Sequence, residues 1–148
     1  MDAAGQDAPS ETGDSAPARR RRVLVAEDNA TNRLLLRLAL DAAGVALDEA
    51  EDGEAAVALA CGAGAARYDA ILMDVQMPLL DGPGATRRIR ASGGPNARAR
   101  VLGLTAATEA ALAAECRAAG MDAVLTKPVG RAALLAALFG AGESLPRC

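Results

Sequence analysis

Five short apolar runs, at residues 23–26, 45–47, 70–73, 101–104 and 123–125, alternate along this chain with Ala- and Leu-rich amphipathic stretches near 30–43, 54–61, 84–91, 108–119 and 131–139. A short apolar run bounded by turn residues reads as a buried strand, and the longer amphipathic stretch that follows it as a crossover helix. Strands that alternate with helices pair in parallel, because each crossover returns the chain to the same edge of the sheet. Gly44, Gly62, Gly120 and Gly140 follow four of the helical stretches, in the C′ position that glycine fills without steric cost. Right-handed crossovers then put helices on both faces of a doubly wound α/β sheet, with the ligand site outside the carboxyl ends of the strands.

A length of 148 residues with 51% hydrophobic content supports one sizeable core. Residues 1–20 mix Ala, Gly, Ser, Pro and scattered acids with no apolar period, and are expected to be a disordered tail. The folded unit is expected over 21–140, followed by a short tail at 141–148. The arginine run at 19–22 reads as a solvated domain edge, the alternative being a nucleic-acid patch. A net charge of −3 argues against direct nucleic-acid binding.

Cys61, Cys116 and Cys148 are odd in number and widely spaced, with no C-x-x-C pair, so neither a disulfide framework nor a zinc site is indicated and a reducing cytoplasm is expected. No run approaches the roughly 18–20 apolar residues that span a bilayer, and the acidic, polar N-terminus is unlike a signal peptide, so no membrane insertion is expected. The absence of histidine excludes histidine-based triads, most zinc chemistry and a phosphohistidine of the chain's own.

The residues that end the apolar runs are the chemically informative ones. Glu27 and Asp28 end the first, Asp74 the third, Thr105 the fourth and Lys127 the fifth. Three carboxylates gathered at one edge repel one another and call for a cation, and an all-oxygen donor set selects a hard one such as Mg²⁺. Taken alone, Asp74 reads equally as a helix N-cap or loop acid. In the constellation it reads as a nucleophile that forms an aspartyl phosphate, with an ammonium from Lys127 and a hydroxyl from Thr105 beside it. Lys127 is the only lysine among 16 basic residues, which suggests a position that needs a compact point charge where arginine will not serve. Thr105 has a plainer reading as a cap for the helix expected near Thr108.

Taken together, Val23-Leu24-Val25-Ala26-Glu27-Asp28-Asn29, Met73-Asp74-Val75-Gln76-Met77-Pro78 with Asp81-Gly82, Leu104-Thr105-Ala106, Met121-Asp122 and Leu125-Thr126-Lys127-Pro128 resemble the receiver domain of two-component response regulators over about residues 21–140, most closely the receivers of hybrid sensor kinases. The resemblance implies a flavodoxin-like five-stranded sheet of order 2-1-3-4-5 and often a cis bond before Pro128. It implies Asp74 as phosphoacceptor, Asp28, Asp74 and the Gln76 backbone carbonyl as direct Mg²⁺ ligands, Glu27 as a ligand through water, and Thr105 and Lys127 as phosphoryl-binding groups. The implied activity is phosphorelay signal transduction. Its phosphodonor is a histidine kinase or histidine phosphotransfer protein, its output contact with a downstream protein, and its chemistry slow self-dephosphorylation without enzymatic turnover.

One departure concerns the position three before the lysine. The family usually carries an aromatic there, and this chain has Val124, so signalling through the face of the fourth helix, fifth strand and fifth helix is expected to be weaker or to rely on backbone shifts. With few residues after the last expected helix, no output domain is expected, which fits either a stand-alone receiver or the receiver of a hybrid kinase. Competing readings fare worse. A receiver that is never phosphorylated conflicts with the intact polar set, and a flavin binder with Tyr68 and Phe139 as the only aromatics. An aspartyl-phosphate phosphatase needs a general acid two residues after the nucleophile, where Gln76 stands.

Overall fold

The computed structural model describes residues 21–106 and 110–139. The tails expected at 1–20 and 141–148, Gly140 and the helix start expected near Thr108 lie outside those residues. Ten elements alternate: β1 (Arg22–Ala26), α1 (Ala30–Ala42), β2 (Ala46–Ala50), α2 (Gly53–Cys61), β3 (Ala70–Asp74), α3 (Gly82–Ala91), β4 (Arg100–Thr105), α4 (Ala110–Ala119), β5 (Ala123–Thr126) and α5 (Arg131–Phe139). Every pairing is parallel, in the order β2-β1-β3-β4-β5, which is the flavodoxin-like order the resemblance implied.

The period-2 pleat sorts the apolar runs onto two faces. Val23, Val25, Leu72, Leu102 and Leu104 pack in one cluster with Leu40 of α1 and Leu134 and Leu138 of α5. Leu24, Ile71, Met73 and Val101 pack in the other with Ala56 of α2, Ala85 and Ile89 of α3 and Cys116 of α4. Because both faces are covered, the central strands are continuously apolar, and this is why they are visible as runs. Each fully buried leucine or isoleucine contributes about 1.5–3 kcal/mol of transfer free energy.

Three expectations shift at element boundaries. Strand β2 extends past its apolar run through Asp48 and Glu49, because it is an edge strand whose charged side chains find partners. Tyr68 donates its hydroxyl to Asp48 at 2.6 Å, Arg22 pairs with Asp48 at 3.1 Å, and Arg37 pairs with Glu49 at 2.6 Å. Helices α2 and α3 begin earlier than expected, since Asp52 and Asp81 accept the N–H groups of Ala55 and Gly84, each at 2.8 Å, as N-caps. Gly44 and Gly120 have the positive φ expected of C′ residues, but Gly62 has φ −68° and the left-handed turn falls at Gly64 instead.

Two polar clamps join segments far apart in the chain. The buried Asn96 accepts the Tyr68 N–H at 2.8 Å and donates to the Ala60 and Ala66 carbonyls at 2.9 and 2.8 Å. Arg90 donates to the carbonyls of Gly120, Ala97 and Ala99 and pairs with Asp122. Among the described residues, no helix is long and apolar enough to cross a membrane.

Candidate functional site

In a parallel sheet every strand delivers its carboxyl end to the same edge, and the register here aligns those ends closely. Ala26 lies opposite Met73, Asp74 opposite Leu104, and Thr105 opposite Thr126. Glu27 and Asp28 just after β1, Asp74 and Thr105 at the ends of β3 and β4, and Lys127 just after β5 are therefore gathered on one rim. The helix-cap reading of Asp74 fails, since it is the last residue of β3 and the caps of α1, α2 and α3 are Asn29, Asp52 and Asp81.

Asp74 is 5% exposed, and its carboxylate accepts the Gln76 N–H and the Lys127 ammonium, both at 3.2 Å. The same Lys127 Nζ lies 3.1 Å from Glu27 Oε1. Glu27 is 1% exposed; its Oε2 accepts the Asn29 N–H at 3.1 Å, and its backbone carbonyl accepts Arg33 Nη1 at 2.9 Å. Glu27 Oε1 is buried and, although within ion-pair distance of Lys127, meets no aligned hydrogen-bond donor. Asp28 completes a trio whose ligand oxygens lie within 4.8 Å of one another.

One ammonium thus serves two buried carboxylates, with a third carboxylate adjacent. Burial and then the charge of Glu27 push the Asp74 carboxyl up to about 6, against the opposing pull of Lys127. Burial also raises Glu27, but the Asn29 N–H and Lys127 outweigh it and hold that carboxyl below its ordinary value. Burial opposes the Lys127 charge, yet Glu27 and Asp74 together raise its pKa. The surplus of oxygen acceptors and the orphaned Glu27 Oε1 fit a hard divalent cation such as Mg²⁺.

The surrounding loops are held tightly. Thr105 is buried, and its carbonyl accepts the Lys127 N–H at 2.7 Å, just before the cis Lys127–Pro128 bond. The Val75 N–H donates to Leu104 O, and the Gly82 N–H returns to Val75 O, each at 2.9 Å, so the segment from 75 to 82 closes on itself beside Asp74. A Cβ at Gly82 would sit 2.5 Å from the Asp74 carbonyl oxygen, so only glycine allows α3 to start this close to β3. Within the segment, the Leu80 N–H donates to Pro78 O at 2.7 Å across Leu79 at φ +69°. This is a γ-turn of the rare, strained kind, and for a non-glycine residue it costs on the order of 1–3 kcal/mol.

All six site residues expected from the sequence lie on this rim, with Gln76 exposed at its border. The sequence reading missed the supporting roles of Asn29 and Arg33. An Asn between a strand and a helix is a cap signal that was available, whereas the reach of Arg33 back to a backbone carbonyl was not. Val124 is partly buried and packs against the cluster that contains Cys116 of α4. A cavity of about 510 Å³ opens beside Glu27 and Lys127, lined by Leu35 and Leu36 of α1 and by Pro128 and Leu134, and Leu34, Leu35 and Leu38 of α1 are exposed nearby.

A sequence model described as the response regulator receiver domain matches residues 23–139. The virulence sensor protein BvgS of Bordetella bronchiseptica is 40% identical over 136 residues; the match covers 89% of this chain, which spans about 10% of that relative's length. Among solved structures, the receiver domain of the sensor histidine kinase PA1611 from Pseudomonas aeruginosa, with a magnesium ion coordinated in its active-site cleft, has a TM-score of 0.74 at 38% identity, covering 81% of this chain and 95% of that one. A co-crystal structure from Saccharomyces cerevisiae, of the histidine phosphotransfer signaling protein Ypd1 with the receiver domain of its downstream response regulator Ssk1, matches with a TM-score of 0.69 at 27% identity, covering 80% and 86%.

Proposed function

This chain belongs to the response regulator receiver domain family, and we propose that it is a phosphorelay element whose phosphoacceptor is Asp74. The observation that carries this reading is the Lys127 ammonium, 3.2 Å from Asp74 and 3.1 Å from Glu27 on a rim with more oxygen acceptors than donors. Such a rim sets a carboxylate nucleophile beside the ammonium that would receive a phosphoryl oxygen, and its surplus of acceptors suits a hard cation that would neutralise the incoming group.

Transfer breaks the P–N bond of a donor phosphohistidine and forms a P–O bond to an Asp74 carboxylate oxygen; the electron pair of the broken bond leaves with the imidazole nitrogen. Mg²⁺ held by Asp28, Asp74 and the Gln76 carbonyl, with Glu27 acting through water, would supply charge neutralisation for the phosphoryl oxygens. The Gln76 N–H holds the Asp74 carboxylate in place, and Lys127 moves its charge from that carboxylate onto the phosphoryl group. The Thr105 hydroxyl donates to a second phosphoryl oxygen. Burial of Asp74 keeps bulk water from the acyl phosphate, so the chain acts as a stoichiometric acceptor with slow self-dephosphorylation rather than as a turnover enzyme.

The donor is a histidine kinase or histidine phosphotransfer protein in the cytoplasm, and the exposed leucines of α1 beside the rim offer it an apolar surface. Closure of Thr105 and Lys127 on the phosphoryl group repacks the adjoining loops and shifts affinity for a downstream protein by about 1–3 kcal/mol. The test is intact mass after incubation with acetyl phosphate and Mg²⁺. One added phosphoryl group is expected, lost in Asp74→Asn and under chelation. Absence of the adduct in a folded, Mg²⁺-binding sample would overturn the proposal in favour of a binding module that is never phosphorylated.

A further inference from the structure

Leu79 combines two local penalties that the domain does not need. Its backbone lies at φ +69° inside a γ-turn, and every other residue of positive φ among the described residues, Gly44, Gly64, Gly93 and Gly120, is a glycine. Glycine or asparagine would take the same backbone with less strain. Its side chain is 79% exposed, more than Leu34, Leu35, Leu38 or Leu59, so it gains little from burial within the domain. A branched apolar side chain that is both strained and solvated is not explained by folding.

Its place supplies the explanation. The segment that carries Leu79 leaves from the residue after Asp74 and is tied back to Val75 by the Gly82 N–H. The segment borders Asp74, so a protein large enough to bring a phosphorylated side chain to that carboxylate would reach it, whereas a small phosphodonor would not. Leu35, exposed on α1, lines the cavity beside Lys127 and Glu27. Leu79 thus gives the rim a second apolar contact, on the β3–α3 segment.

We propose that Leu79 is a specificity contact for the phosphodonor protein, a side chain held out by a strained turn to be buried against an apolar surface around the donor's phosphohistidine. The inference rests on the phosphoacceptor reading above. It implies a trade between stability and recognition, since easing the turn stabilises the free domain and removes the contact.

The experiment compares wild type with Leu79→Gly, Leu79→Asn and Leu79→Met. Three quantities are read: the urea midpoint, the rate of phosphorylation by acetyl phosphate, and kcat/KM for transfer from a phosphorylated histidine phosphotransfer domain, chosen from a panel as the fastest on wild type. Leu79→Gly and Leu79→Asn are expected to raise the urea midpoint, leave the acetyl phosphate rate within twofold and lower kcat/KM for the protein donor about tenfold. Leu79→Met, which restores an apolar chain of similar size, is expected to keep protein-donor transfer near wild type. Protein-donor transfer at the wild-type rate in both Leu79→Gly and Leu79→Asn would overturn the proposal, as would an equal fall with both donors. Wild type that takes no phosphoryl group from acetyl phosphate would instead sink the underlying phosphoacceptor reading.

Discussion

Replacing Asp74 by asparagine is expected to stabilise the metal-free protein, although it removes a charge partner of Lys127. The carboxylate is 5% exposed and shares one ammonium with Glu27, and its pKa is pushed from 3.8 to about 6. Each pKa unit corresponds to about 1.4 kcal/mol, so a rise of about 2 units means the charged form opposes folding by roughly 3 kcal/mol at neutral pH. Asparagine keeps the shape and loses the charge, but gives Lys127 a weaker partner, so a net gain of about 1–3 kcal/mol is expected. Because the folded-state pKa lies above the unfolded one, the wild type loses stability as pH rises from about 4 to about 6. The advantage of the variant is therefore full at pH 7, shrinks as pH falls through 6 and vanishes below about 4. Urea denaturation in excess chelator across that range measures it. With Mg²⁺ added, the advantage of the variant is expected to shrink: wild type gains about 2.7 kcal/mol at a concentration one hundred times its Kd, and the variant gains less. A metal-free variant less stable than wild type at pH 7, or a gain that does not change with pH, would refute the charge-repulsion argument.

Three other changes probe separate parts of the molecule. Asn96→Ala removes a buried side chain that holds three backbone groups, and is expected to cost about 2–4 kcal/mol by urea denaturation while leaving acetyl phosphate labelling of the folded fraction intact. Gly82→Ala forces a Cβ against the Asp74 carbonyl, and is expected to cost about 2 kcal/mol in the same assay and to slow labelling as the end of β3 shifts. Lys127→Met leaves Glu27 and Asp74 without their shared cation; an expected loss of about 1–3 kcal/mol in chelator, largely recovered in Mg²⁺, is read by thermal melts in the two buffers.

The sequence alone determined the order of elements, the parallel sheet and the edge on which the chemistry lies. Those depend on local facts: apolar runs short enough for strands, helical stretches between them, and a polar residue at the end of the first, third, fourth and fifth runs. Glu27, Asp28, Asp74, Thr105 and Lys127 were legible for that reason, since parallel strands bring every carboxyl end to one rim whatever the details of packing. Strand β2 was read short because an edge strand tolerates Asp48 and Glu49 once Tyr68, Arg22 and Arg37 come to meet them, and those partners arrive from distant segments. Only the tertiary structure decided that Lys127 divides its charge between two carboxylates, that Glu27 Oε1 is buried without an aligned donor, and that Leu79 sits exposed in a strained turn. The reason is physical. Charge sharing, burial and backbone strain are properties of side chains and turns held by neighbours far away in the chain, and no periodicity along the sequence encodes them.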